Sequence, residues 1–155
     1  MNSAKRNLLV VGLGNPLMGD DGVGIYVIRQ LAVSPLPQHV RVADCGTDVL
    51  KLMTYLEEQN LVVFIDAVDG AAQPGTIFRM NKSQLFGFNG TSKSAHMLSV
   101  IDSLKLLDKV QDAFGRAEID FFGIQPERVA RQDGLSESVQ QSADKVIQII
   151  RSAYW

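Results

Sequence analysis

The stretch from Leu8 to Gly24, LLVVGLGNPLMGDDGVG, constrains the chain more than any other. A run of four apolar residues stops at Gly12 and Gly14, Asn15-Pro16 makes a turn, and Asp20 and Asp21 stand immediately before the next apolar segment. So short a run, with adjacent valines and glycines behind it, suits a buried strand better than a helix. Val23, Val27 and Leu31, with Gly24 and Ile28 alongside, recur at the three- and four-residue spacing of one helix face. The two carboxylates therefore fall at a helix start. A cap or a helix-dipole partner accounts for either acid alone, but less well for both. A strand, a glycine turn and a helix also invite a dinucleotide-binding reading. That fingerprint needs a third glycine three residues after Gly14, where Leu17 stands. A phosphate at this helix start would meet Asp20 and Asp21, so the loop suits a cation instead.

The rest of the chain repeats the pattern of strand then helix. Val40–Ala43 reads as a strand that ends at Asp44-Cys45-Gly46-Thr47, with Thr47 or Asp48 capping a helix whose apolar face is Val49, Leu52, Met53 and Leu56. Leu61–Ile65, apolar at every position, reads as a central parallel strand ended by Asp66. Turn chemistry from Asp69-Gly70 to Pro74-Gly75 precedes a short strand at Thr76–Arg79. The polar segment Asn81–Ser94 is the expected mobile loop, and it delivers His96 to the first turn of a helix capped by Ser94, with Met97, Val100, Ile101 and Leu104 inward. There the helix dipole favours the neutral imidazole, the form that binds metals. Ile119–Ile124 is the next strand, and the last helix carries Val139, Ala143, Val146, Ile147 and Ile150 on one face. The expectation is a single α/β domain over residues 1–155, with a twisted, mostly parallel sheet of about five strands and helices on both faces.

In such sheets the functional crevice lies outside the carboxyl ends of the strands. Asp20, Asp21, Asp44 and Asp66 all follow predicted strands, so they should converge at one edge. With His96 they make a mixed oxygen and nitrogen site that accepts nickel, zinc or manganese and lacks the sulfur of a thiolate site. His39 is read as an ordinary histidine, and Cys45 as a small half-buried residue whose thiol pKa the neighbouring Asp44 raises. Met53 and Met97 are read as core.

Several classes are excluded by what the chain lacks. It has 155 residues, a formal charge of -2, no basic cluster and 46% hydrophobic residues, which gives no footprint for nucleic acid or an anionic membrane. No segment approaches the roughly 20 apolar residues of a membrane span. The basic MNSAKR start is followed by an apolar run broken too early for a signal peptide, so the expected location is the cytoplasm. One cysteine rules out an intrachain disulfide and a multi-cysteine zinc site. Neither a Gly-x-Ser-x-Gly elbow nor a His-Glu-x-x-His helix is present.

The motifs GLGNPLMGDDGVG, DCGT, FIDA, SAH before an apolar helix, and FFGIQPE, in that order, resemble the maturation endopeptidases of nickel-iron hydrogenases. The resemblance runs through nearly the whole chain. It implies a doubly wound α/β protease that removes a C-terminal extension from the hydrogenase large-subunit precursor once nickel is inserted, recognising the nickel directly. Carried over by position, it implies Asp21, Asp66 and His96 as the catalytic, metal-contacting residues and Asp44 as a substrate-recognition residue. Family members often have glycine where this chain has Cys45, and some have glutamate at the position of Asp21. The nickel is expected to arrive with the precursor, no nucleotide cofactor is implied, and the enzyme is expected to act as a monomer, as an aspartyl-type or metal-dependent peptidase. The competing readings are a non-catalytic chaperone or metal-sensing module for a hydrogenase subunit, and a nucleotide-binding domain.

Overall fold

The computed structural model describes residues 6–88 and 95–155. The elements in chain order are β1 (Leu8–Leu13), α1 (Val23–Leu31), β2 (Val40–Gly46), β3 (Leu61–Ala67), β4 (Ile77–Asn81), α2 (Lys82–Phe86), α3 (Ala95–Val110), α4 (Asp112–Arg116), β5 (Glu118–Ile124) and α5 (Glu137–Tyr154). Two 3-10 segments, Gly19–Gly22 and Val49–Thr54, follow β1 and β2. The sheet order is β2-β1-β3-β5-β4, and every pairing is parallel except that of β4 with β5. This is the α/β architecture expected from the sequence.

β1 is buried at all six positions, and β3 at all but its last, because both lie inside the sheet with helices on each face. Leu9, Val11, Val62, Phe64 and Phe121 pack under α2, α3, α4 and the second 3-10 segment. Val10, Val63, Ile65 and Phe122 point the other way, under α1 and α5. The period-two alternation of strand side chains thus divides one sheet between two cores. β4 leaves the carboxyl end of β3 and returns along β5 as the antiparallel edge. A connection over residues 68–76 is too short for the dozen or more residues that a parallel crossover takes. Arg79 closes that edge, paired with Asp120 and lying 5.0 Å over the Phe122 ring.

Four local expectations differ from the structure. The segment after Asp48 is 3-10 rather than α-helical; Asp48 caps it by accepting from the Leu50 amide. At three residues per turn Val49 and Leu52 share the inward side, so Met53 turns out and is 46% exposed instead of buried. Within the expected loop 81–94, residues 82–86 form α2, held by an Asn81–Gln84 capping box. The remainder of that loop, with the Ser94 cap, lies outside the described residues. The short helix α4 had no counterpart in the sequence reading. Elsewhere β2 and β3 run two to three residues beyond their apolar runs, so Asp44 and Asp66 sit within strand ends.

Candidate active site

The site forms where β1, β2 and β3 reach their carboxyl ends. Two glycines permit its close approach. Gly24 starts α1 directly against the sheet: a Cβ there would stand 2.2 Å from the Ile65 carbonyl oxygen and 2.5 Å from that of Leu13. Gly14 has φ of 113°, and its Cβ would lie 1.9 Å from the Asp21 carbonyl oxygen and 3.6 Å from Asp66 Oδ1. The first loop therefore folds flat onto β3, which brings the helix-start acids beside Asp66.

Asn15 shapes the turn between them. Its Oδ1 accepts from the Leu17 amide at 3.0 Å, and its own amide donates to Asp21 Oδ2 at 2.9 Å. Asp21 is half-buried, with one carboxylate oxygen fixed by that amide. Asp66 is fully buried; its Oδ1 accepts from the Ala67 amide at 2.9 Å, and its Oδ2 lies 3.0 Å from His96 Nε2. The His96 side chain, in the first turn of α3, is 40% exposed. Burial pushes the Asp66 carboxyl up, against the pull of His96, and the Asp21 charge adds to the rise. The hydrogen bond to Asp66 raises His96, outweighing its own desolvation. The buried carboxylate in direct contact thus pulls the imidazole in the direction opposite to the partial charges of its helix start. The pair holds a proton between two groups of which one faces solvent.

Asp66 and His96 are thus brought together, with Asp21 near enough for its charge to act on both. Among the described residues no three His, Cys, Asp or Glu side chains stand in a ready metal-binding arrangement. Nε2 and Oδ2, both metal-donor atoms, are turned to each other. Asp44 is exposed at the end of β2, where its Oδ1 accepts from the Gly46 amide at 3.0 Å. Gly12 pairs with Asp44 and Leu13 with Gly46, so Cys45 is the extra residue of a bulge. The Gly14 amide donates to the Gly46 carbonyl at 2.7 Å, which ties the Asp44 turn to the first loop. Cys45 is fully buried and its thiol is pushed up to about 12, by burial first and the Asp44 charge second, as befits an unreactive residue. His39 serves the fold, with Nε2 3.1 Å from the Tyr154 carbonyl oxygen.

Asp20 departs from its neighbour. It is 1% exposed, and its carboxylate accepts from the amides of Glu127, Arg128 and Ser136 and from the Ser136 hydroxyl. It pins the β5–α5 connection to the first loop. Gln125, also buried, does comparable work: its Oε1 accepts from the Gly70 and Ala72 amides and its Nε2 donates to Asp69 Oδ1. The sequence signal for Gln125 is a polar residue directly behind the buried end of β5. Asp20 has no local signal, since its partners are 107 to 116 residues away.

Residues 25–153 match the family model described as hydrogenase maturation protease. The chain belongs to that family. Its members are endopeptidases, hydrolases that act in hydrogenase maturation, which sets aside the nucleotide-binding and non-catalytic readings. A Methanocaldococcus jannaschii protein named as a hydrogenase maturation protease is 34% identical over 151 residues, covering 94% of this chain and 95% of its own. The solved NiFe hydrogenase maturation protease HybD of Thermococcus kodakarensis has 30% identity and a TM-score of 0.84, with 96% of this chain and 99% of that one covered. The maturating endopeptidase HybD of Escherichia coli, at 23% identity and a TM-score of 0.77 over 95% of this chain and 93% of its own, shares the fold. Among the described residues no helix is long and apolar enough to cross a membrane.

Proposed function

We propose that this endopeptidase removes the C-terminal extension of a nickel-iron hydrogenase large-subunit precursor after nickel has been inserted, and that it reads the nickel through Asp21, Asp66 and His96. The observation that carries the reading is the buried Asp66 carboxylate paired with the half-exposed His96, beside Asp21, at the carboxyl edge of the sheet. Two carboxylates and an imidazole suit a borderline divalent ion such as nickel. The ion is the precursor's cargo. Its arrival displaces the proton held between Asp66 and His96, which frees Oδ2 and Nε2 as ligands, while the Asn15 amide keeps Asp21 oriented. A precursor without nickel offers nothing to displace that proton, so the loaded form is selected.

Hydrolysis adds water across the peptide bond: hydroxide goes to the carbonyl carbon and a proton to the departing amine. The attacking water is either activated by the ion, which lowers its pKa so that it gives up its proton to a neighbouring carboxylate or to the departing amine, or deprotonated directly by a free carboxylate as general base, and the ion polarises the carbonyl. Asp44, tied to the same loop through Gly46, is assigned to substrate choice. The enzyme acts as a monomer on a folded partner. Intact mass of nickel-loaded and nickel-free precursor, before and after incubation, tests this. The expected result is loss of a C-terminal peptide from the loaded form alone. Asp21→Ala, Asp66→Asn and His96→Ala should each leave the precursor uncut while remaining folded. Full processing by any one removes that residue from the site, and equal cutting of both precursors refutes nickel sensing.

A further inference from the structure

The β5–α5 connection has no regular secondary structure, yet it is fastened along its length to the loop that carries Asp21. The Asp20 amide donates to the Arg128 carbonyl, the Gly19 amide to that of Gln132, and the Gln132 amide to that of Leu17. The Asp20 carboxylate holds Glu127, Arg128 and Ser136 from beneath. This frame carries Leu17, 65% exposed, and the sequence Arg128-Val129-Ala130-Arg131, in which Val129 is 53% exposed, with the exposed acids Glu127 and Asp133 in the same connection. Glu127 is engaged by the Ser138 hydroxyl of α5. Among the described residues no ion pair joins Arg128 or Arg131 to an acid.

Single exposed apolar residues are ordinary on a protein surface. Here two such residues, and two arginines that make no ion pair among the described residues, lie on backbone bonded to the site loop, so their backbone positions relative to Asp21 are set before any partner arrives. Arg128 and Arg131 offer planar forks that match carboxylates, and arginine beside apolar contacts is a common composition of binding hot spots. We infer that Leu17, Arg128, Val129 and Arg131 form a second contact for the large-subunit precursor, taking a segment of it that carries acidic and apolar side chains. This rests on the function proposed above.

The test compares wild type with Arg128→Glu/Arg131→Glu and with Leu17→Asp/Val129→Asp, measuring both affinity for the nickel-loaded precursor and its cleavage. All four side chains are exposed, and urea unfolding checks that stability is unchanged. KM and the dissociation constant should each rise about tenfold in both double variants, with kcat within about twofold. Wild-type affinity should fall with added salt, and the charge-reversed variant should lose that dependence. Unchanged KM and salt dependence in variants that cleave normally would overturn the second contact and leave the protease reading intact. Weakened binding by the variants, with a wild type that binds but never cuts, would support the contact and refute the proposed cleavage. A wild type that neither binds nor cuts refutes both.

Discussion

Asp20 and Asp21 are adjacent, and their substitution should fail in opposite ways. Asp20→Ala removes a carboxylate that accepts from three backbone amides and one hydroxyl while 1% exposed. A buried donor left without its acceptor costs about 1–3 kcal/mol. Glu127 and Arg128 are themselves exposed, so water can reach part of that loop, and the low end applies to their amides. The total for the three amides is about 3–5 kcal/mol, which for a chain of this length lowers the melting temperature by roughly 10 °C. Urea titration gives the free energy, with an unchanged slope showing that the compactness of both end states is preserved. Native-state hydrogen exchange should localise the loosening to the amides of residues 127, 128 and 136. Asp20→Asn, which keeps the volume and one acceptor oxygen, should lose about half as much. Asp21 is half-buried and its carboxylate takes one amide, so Asp21→Ala should cost no more than about 1 kcal/mol while abolishing processing. An Asp20→Ala protein within 1 kcal/mol of wild type, or an Asp21→Ala protein that falls as far as Asp20→Ala is expected to, would refute the division of labour.

Gly24→Ala should destabilise by about 3 kcal/mol or more, because its methyl group would overlap the Ile65 and Leu13 carbonyls, whereas Gly134→Ala, with φ of 82° and open space around it, should lose only about 1 kcal/mol; denaturant titration of the two ranks them. Cys45 should resist an aromatic disulfide reagent at mildly alkaline pH and react at once in urea, and prompt reaction of the folded protein would contradict its burial. The same thiol ionises near 9.0 when unfolded and near about 12 when folded, so the unfolded state sheds its proton first. Wild type should therefore lose stability relative to Cys45→Ala as pH rises through that window. Gln125→Ala strips the acceptor from the Gly70 and Ala72 amides and should cost about 2–3 kcal/mol, read by thermal unfolding. Asp66→Asn removes the hydrogen bond that raises His96, so the His96 ring should titrate at lower pH by NMR; an unmoved titration would show that the pair is not coupled.

What the sequence disclosed depended on how far away the deciding partner lies. The sheet was legible because β1 and β3 are covered on both faces, and a strand so placed must be apolar at consecutive positions. The convergence of Asp21 and Asp66 followed from topology, since parallel strands end at one edge, and helix periodicity placed His96 at the start of α3. Local chemistry was also present for α2, whose Asn81 and Gln84 carry a capping box inside a segment otherwise rich in loop residues. The second 3-10 segment was harder, because Val49, Leu52 and Met53 satisfy helical spacing and only the tighter winding turns Met53 outward. The surroundings of His96 were visible only in part: the dipole of its own helix is legible in sequence, while the carboxylate it pairs with comes from β3, 30 residues earlier. Asp20 and Asp21 mark the limit. Both follow the same glycine turn and both stand at the same helix start, so composition, capping and dipole assign them identical roles. They diverge because successive side chains in a 3-10 turn point about 120° apart, so that Asp20 lies beneath the β5–α5 connection while Asp21 takes the Asn15 amide. The partner that fixes Asp20 as a support is Ser136, and the carboxyl on which the Asp21 charge acts is that of Asp66, and neither is near in the chain.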